Sequence, residues 1–397
     1  MNPIGSWTNF PQGFANGLTV RGMPLLQMQP GQVFFLDNGP IMIPNQKTGS
    51  DGNRGSFLDP FATLNYAVNT ACMPGRGDIV FVLPGHFETI TSATVALLQT
   101  SGVAVIGIGS GSSRPTFNFT TATTANIPVA GANISIQNCL FTANFLSVAS
   151  TFTSVTSSFT GVIANNVLTA SAVTGTIYPG AMLSGTGVNA NTYILAQLPG
   201  GTVGGAGTYT TVGTTTVASV SMTTPTTDFS IDNCEFRDAS SALSFLTVFT
   251  ANATANACDG FQFTRNIVNG LGTVSPTVAL LTTVSEDRWA INDNFAVSPI
   301  TTGTQGPILL ATGAGNLTAC QILRNNTFRP NTSSTLPCAV STSGTAWTGM
   351  AAYNNFHAMP TGTGIWISTG SLLGLVQNFS RLTNTADKSD TLNPVAV

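Results

Sequence analysis

Charge is what this sequence has least of. Twelve Lys and Arg with fifteen Asp and Glu make up 7% of its 397 residues, against roughly 25% in ordinary globular chains. Only two of the cations are lysines, Lys47 and Lys388. A net charge of −3 with no basic stripe excludes a groove for a phosphate backbone, so no nucleic-acid partner is expected. From residue 115 to residue 227 there is no Asp, Glu, Lys or Arg at all. Such a surface cannot steer partners by charge, and it suits dense packing beside identical copies, where like charges would repel.

Other absences narrow the chemistry. The two histidines, His86 and His357, are too few for a Cys/His zinc cluster, and none of the six cysteines (72, 139, 234, 258, 320 and 338) forms a CxxC pair. Buried free thiols are expected rather than a disulfide framework. No run approaches the roughly 18 apolar residues of a membrane span, so no membrane partner is expected. Met1 to Trp7 lacks the basic and apolar regions of a secretory leader, which argues against export by that route. Phosphate-cradling glycine loops are missing too: Gly107-Ile108-Gly109 opens no helix. No catalytic, cofactor-binding or metal-ligating residue is expected.

What is present is Thr, Ser, Asn and Gly around a hydrophobic content of 42%. Thr and the β-branched apolar residues favour strands, and Asn and Gly favour tight turns. The class is all-β. Within it, one motif recurs. Ile134-Ser135-Ile136-Gln137-Asn138-Cys139-Leu140-Phe141 matches Phe229-Ser230-Ile231-Asp232-Asn233-Cys234-Glu235-Phe236. Degenerate copies follow around Asn266, Asn294, Asn325 and Asn354, with a frayed one at Gln377-Asn378-Phe379. Each is a short alternating strand, then an Asn, then an aromatic or aliphatic residue.

From Asn233 the successive spacings are 33, 28, 31 and 29 residues. A period near 30 with strands this short means one coil per repeat, and stacked coils bury together the apolar side that none can bury alone. The expected fold is a right-handed parallel β-helix, a single-stranded solenoid. Parallel stacking sets like residues above one another. An inward Asn at each bend can donate its amide to the next coil and accept from the last, which predicts a structural ladder of Asn138, Asn233, Asn266, Asn294, Asn325 and Asn354. Cys139 and Cys234 share the slot after the Asn and are expected to stack as small buried hydrophobes.

Asn138 and Asn233 lie 95 residues apart, three periods. Subtracting one coil leaves a segment of different character, residues 161–222, expected to be a small inserted β-domain. It reads as hairpins: 162–169, a Gly-rich turn region over 198–207, then 214–222. Loops leaving a rigid scaffold usually carry contacts. The remaining divisions are an N-terminal arm over 1–50, the first part of the solenoid over 51–160, and its continuation with a C-terminal tail over 223–397. The arm carries one strand, 32–36. Trp7, Phe10, Phe14 and Arg21 are its candidate capsid or subunit contacts, because an arm that cannot bury itself lies on a neighbour. Phe61, Leu64, Ala67, Val68 and Ala71 recur at helical spacing and predict a capping helix over 61–72. Asp59-Pro60 would start it and Pro74-Gly75 would end it. The helix should plug the open end of the solenoid, ahead of a first core strand from Asp78.

Three stretches carry a resemblance: Asp51-Gly52-Asn53, Pro60-Phe61-Ala62-Thr63-Leu64 and Gly77-Asp78-Ile79-Val80-Phe81-Val82-Leu83-Pro84-Gly85-His86. Together they resemble the opening of pectin-lyase-like β-helix proteins. Preceded by Phe14-Ala15-Asn16-Gly17 and Pro24-Leu25-Leu26, they are similar to virion structural proteins of tailed bacteriophages. The inserted segment resembles a Gly/Thr-rich β-domain found in many phage structural proteins. The likeness covers most of the chain. It implies a non-enzymatic, homotrimeric decoration or cement protein on the capsid surface, bound to the major capsid protein and assembled in the host cytoplasm.

The same fold hosts enzymes, so a glycan-cleaving reading has its own requirements. A hydrolase needs two carboxylates flanking a bond in a cleft. Asp232, Glu235 and Asp238 lie close in sequence, as do Glu286, Asp287 and Arg288, with Arg237 and Arg265 near Asp232. On the repeat register Asp232 and Glu235 face outward as solvated groups. His86 and Glu88 share a strand face and can pair with each other or bridge to a neighbouring subunit. The alternatives to a capsid part are a tailspike or a tail receptor-binding protein acting on host surface polysaccharide.

Overall fold

The computed structural model describes residues 18–20, 23–26, 31–41, 44–240, 243, 245–251, 255–269, 281–283, 285–297, 309–311, 317–328, 339–341, 348–359, 365–366, 372–376, 378–382 and 389–392. Trp7, Phe10, Phe14 and Arg21, the expected arm contacts, lie outside them.

Short strands dominate, and they fall into three long sheets. The first has ten strands among the described residues, from Val33–Leu36, Ile79–Val82 and Ala104–Gly107 to Leu372–Val376. The second also has ten, from Phe87–Ile90 to Asn378–Leu382, closed by the antiparallel Ser389–Leu392. The third has seven, from Ile127–Val129 to Ile365–Trp366. Apart from the antiparallel Ser389–Leu392, the strands of each sheet follow chain order and pair in parallel, so the chain passes from sheet to sheet before returning one rung on. The protein is all-β, built on parallel sheets.

Two bends frame each of five successive rungs in the middle of the first sheet. Residues with positive φ stand five positions apart: Asn133 and Asn138, Asp228 and Asn233, Gly260 and Arg265, Arg288 and Asp293, Ala319 and Arg324. Asn and Asp enter this conformation readily, but Arg and Ala pay roughly 1–2 kcal/mol there. Parallel stacking offsets that cost by giving the bent backbone a partner. Asn233 donates to Thr264 O, Arg265 to Asn292 O, Asp293 to Leu323 O and Arg324 to Ala352 O, at 2.9–3.0 Å.

Inside, like residues stack. Ile136, Ile231, Phe263, Ile291 and Ile322 form one buried column. Phe117, Phe141 and Phe236 form another, with ring centroids 5.5 and 5.1 Å apart in near-parallel planes. Such pairs add about 0.5–1.5 kcal/mol each beyond their buried area.

Three features differ from the sequence reading. Val33–Leu36 is a rung of the first sheet, paired with Ile79–Val82, and Phe35 stacks on Phe81 at 5.8 Å. The strand therefore belongs to the coils rather than to an arm. The helix expected over 61–72 is shorter and starts later, as one turn at Leu64–Tyr66 and a wide turn at Ala67–Ala71. Its cap is Thr63, whose hydroxyl accepts the Tyr66 N–H, while Asp51 accepts the N–H groups of Ala62 and Thr63. Asp59 instead pairs with Lys47 at 3.0 Å. Leu64, Ala67 and Val68 are buried in the same core as the coil interior.

The third difference concerns the charge-free segment, whose sheet extends beyond 161–222. Six antiparallel strands run from Ser157–Ala164 to Thr216–Thr224. The first hairpin turns at Asn165 and Asn166, both with positive φ, the pairing that a tight two-residue turn demands. A separate core of Phe159, Ile163, Leu168, Ile194, Tyr209 and Met222 fills it. The segment leaves and rejoins the coils side by side, where the Ser157 and Thr224 hydroxyls meet at 2.7 Å. It also leans back on them: Ser101 donates to Gly180 O at 2.9 Å, and the Tyr193 ring covers Gly75.

Candidate functional site

The slot after the second bend is where polar side chains concentrate inside the coils. Its amide ladder runs through Asn266, Asn294, Asn325 and Asn354, all buried. Backbone N–H groups at the slot donate forward to the next circuit's side chain: Asn266 to Asn294, Asn294 to Asn325 and Asn325 to Asn354, at 2.9–3.0 Å. The Nδ2 groups of Asn266, Asn294, Asn325 and Asn354 reach back to Ile231, Phe263, Ile291 and Ile322 carbonyls.

Asn138 and Asn233 do not occupy this slot. The register sets Asp232 opposite Thr264, so Cys234 stands opposite Asn266 and Cys139 opposite Cys234. Asn138 and Asn233 sit one residue earlier, at the positive-φ bend. There Asn138 Nδ2 donates to Gly107 O and Gly109 O, and Asn233 Nδ2 to Asn138 Oδ1. Asn satisfies both demands, the bend and the ladder, so spacing alone aligned the wrong one. The cysteines continue the slot: Cys139 N–H points to Cys234 Sγ at 3.5 Å, and Cys234 N–H to Asn266 Oδ1 at 2.9 Å. The hydrogen bond to Cys234 and burial hold the Cys139 thiol well above the usual thiol range, so no nucleophilic thiolate forms there.

Outside the same bend, charges alternate along the stack. Arg265 binds Asp232 through both carboxylate oxygens, with Nε to Oδ1 at 2.8 Å, and Thr264 Oγ1 adds a third bond. Arg324 grips Asp293 at 2.6 and 2.7 Å and lowers its proton affinity. Glu235, expected as a solvated group, is 8% exposed. Arg237 holds it at 2.7 Å, and Arg114 lies over it at 3.7 Å, an ion pair longer than a hydrogen bond. Arg114 comes from a loop that sequence reasoning did not connect to this face. Asp238 is buried and accepts the Phe245 N–H. Of the carboxylates weighed for glycan cleavage, Asp232 and Glu235 are thus each engaged by an arginine.

His86 and Glu88 form the pair their spacing suggested, and it faces inward. Asn38 N–H donates to His86 Nδ1 at 3.1 Å, which leaves the ring proton on Nε2, 3.3 Å from Glu88 Oε2. Glu88 Oε2 also accepts the Leu64 N–H at 3.0 Å. The pair ties the loop after Val33–Leu36 to the start of the short helix. Both residues are at least 96% buried, out of reach of a substrate.

The first bend gathers a group of acids that were dispersed in the sequence. Asp228, Asp259, Glu286 and Asp287 come from three successive circuits. Asp259 Oδ1 accepts the Asp287 N–H at 2.7 Å, and Asp287 Oδ1 accepts the Thr318 hydroxyl at 2.8 Å. Glu286 and Asp287 were visible as neighbours. Asp228 and Asp259 were not, because only stacking brings them in. Among the described residues, no group of three or more His, Cys, Asp or Glu side chains is placed to hold a metal ion.

No protein-family description matches this chain, and no curated protein does. Among solved structures it is similar to a GH136 lacto-N-biosidase from Eubacterium ramulus, at 8% identity and a TM-score of 0.41, over 86% of this chain and 68% of that one. A pectin methylesterase from Aspergillus niger matches at 9% identity and 0.31, over 89% and 91%. The A-module of a mannuronan C-5 epimerase from Azotobacter vinelandii matches at 11% and 0.26, over 79% and 91%. At these scores the likenesses carry no argument about what this chain does.

Proposed function

We propose that this chain is a non-enzymatic virion structural protein: a right-handed parallel β-helix, capped by its short helix, that decorates a bacteriophage capsid as a homotrimer. The observation that carries the reading is the use made of polar side chains. Asn294 with Asn325, Arg265 with Asp232 and Arg324 with Asp293 each bind one circuit to the next. Side chains that could have formed a reactive centre are thus spent on stiffness. Two further features support it: the resemblance of residues 14–17, 24–26, 51–53, 60–64 and 77–86 to phage virion proteins, and the charge-free stretch 115–227. Its part from Ser157 to Thr224 folds into a sheet of its own and would form a neutral contact module against the major capsid protein or a second copy.

The test is electron microscopy of particles made with and without this protein. The expected result is three-fold density lost from the capsid surface and heads that burst under milder stress. Unchanged heads, with density lost from the tail instead, would overturn the assignment. Release of oligosaccharide from host polysaccharide by the purified protein would overturn its non-enzymatic part.

A further inference from the structure

Glu286 is 1% exposed. Its Oε2 accepts the Cys258 N–H at 2.8 Å, while Oε1 is buried without a hydrogen-bond partner. Asp259, next in sequence to Cys258, comes alongside from the preceding circuit, its Oδ1 accepting the N–H of Asp287, the neighbour of Glu286, at 2.7 Å. An ionised carboxylate with an unsatisfied buried oxygen is costly, and a second carboxylate beside it raises that cost further. The cost falls if Glu286 keeps its proton.

Among the described residues, the surroundings offer little else to neutralise it. From the earlier circuits come Asp228, Cys258 and Asp259; from its own strand and bend come Asp287 and Arg288. Arg288 lies against Asp287 at 3.4 Å, with its side chain 57% exposed. From the following circuit, Leu317 and Thr318 bring no charge. The described residues contain no group placed for a metal.

We propose that Glu286 keeps its proton beside Asp259, and that this proton-binding site clamps successive circuits at one bend and lets go at alkaline pH. Losing the proton to solvent leaves two neighbouring carboxylates and weakens the Cys258–Glu286 link. Burial pushes Glu286 up to about 8, with Asp259 adding to the rise. Asp228 is raised as well, by burial first. The sign follows. The unfolded chain loses this proton near 4.5 and the folded chain near 8, so folding stability falls across that interval and levels above it.

The experiment uses the full chain, with urea midpoints measured from about pH 5 to about pH 9. Wild type is expected to lose stability with rising pH, with a slope approaching one proton. Glu286→Gln should remove that slope, and Asp293→Asn, at the other bend, should keep it. If Glu286→Gln does not fold, infrared spectra of wild type decide: a protonated-carboxyl stretch at neutral pH that disappears on alkalinisation supports the site. An identical pH slope in wild type and Glu286→Gln would overturn it, as would the lack of that band at neutral pH.

Discussion

Asn325 Oδ1 accepts twice from Asn294, one circuit earlier: from its backbone N–H at 3.0 Å and from its Nδ2 at 2.9 Å. One side-chain oxygen thus closes two donors of the preceding circuit. Replacing Asn325 with Ala strips both and also frees the Ile291 carbonyl. Asn294 Nδ2 keeps its bond to the Phe263 carbonyl, so two buried groups are orphaned, and the expected loss is about 2–6 kcal/mol of unfolding free energy at roughly 1–3 each. Asn233→Gly, at the bend, should change stability by only a few tenths, because Gly accepts positive φ. Urea unfolding of both variants checks the one-residue difference between bend and ladder. Equal losses would contradict it.

Gly260 is fixed by two constraints. Its φ is +74°, and a Cβ there would lie 2.2 Å from Asp228 Oδ1. Gly260→Ala should lower the thermal midpoint by several degrees, as expected for a loss of about 1–3 kcal/mol. Adding Asp228→Gly should recover part of it by opening the space. No recovery would mean that backbone strain alone sets the cost.

Glu88 holds the N-terminal end together. Glu88→Ala leaves the Leu64 N–H and the His86 Nε2 proton without an acceptor. Hydrogen exchange should accelerate at 33–38 and 64–71 and stay unchanged in the later rungs, because stacked parallel rungs are coupled mainly to their neighbours. Uniform acceleration would show the chain to be a single cooperative unit.

Arg324 lowers the proton affinity of Asp293 below its ordinary value of 3.8. The resulting stabilisation is present above that value and is lost as pH falls through the lower folded-state value. Both side chains are substantially exposed, 57% and 38%, so solvent screens the pair, its contribution is small, and it is smaller still in high salt. Asp293→Asn should flatten the acid limb of the stability curve slightly. An effect that does not shrink with added salt would point to a buried interaction instead.

The segment between Ser157 and Thr224 starts and ends on adjacent strands and has its own core. Replacing residues 158–223 with a short Gly-containing turn should leave the coil circular-dichroism spectrum and cooperative unfolding intact. Some stability should be lost where Ser101 and Gly75 lose their cover. Collapse of the whole chain would show that the segment is part of one folding unit.

The sequence by itself determined a great deal. A period near 30, alternation within short strands and the scarcity of charge were enough for an all-β chain of stacked parallel rungs, because those patterns arise from local geometry repeated many times. The Asn165-Asn166 hairpin and the His86–Glu88 pair were legible for the same reason: the partners are close along the chain. Register across circuits was not legible. Asn233 and Asn266 look equivalent in sequence, yet the ladder slot opposite Asn266 holds Cys234, since a one-residue offset changes which side chain points inward. Only tertiary stacking covered Glu235 with Arg114, turned Val33–Leu36 into a rung and brought Asp259 against Glu286. Each depends on residues 27 or more positions apart, and the energy that pairs them comes from burial across circuits rather than from anything local.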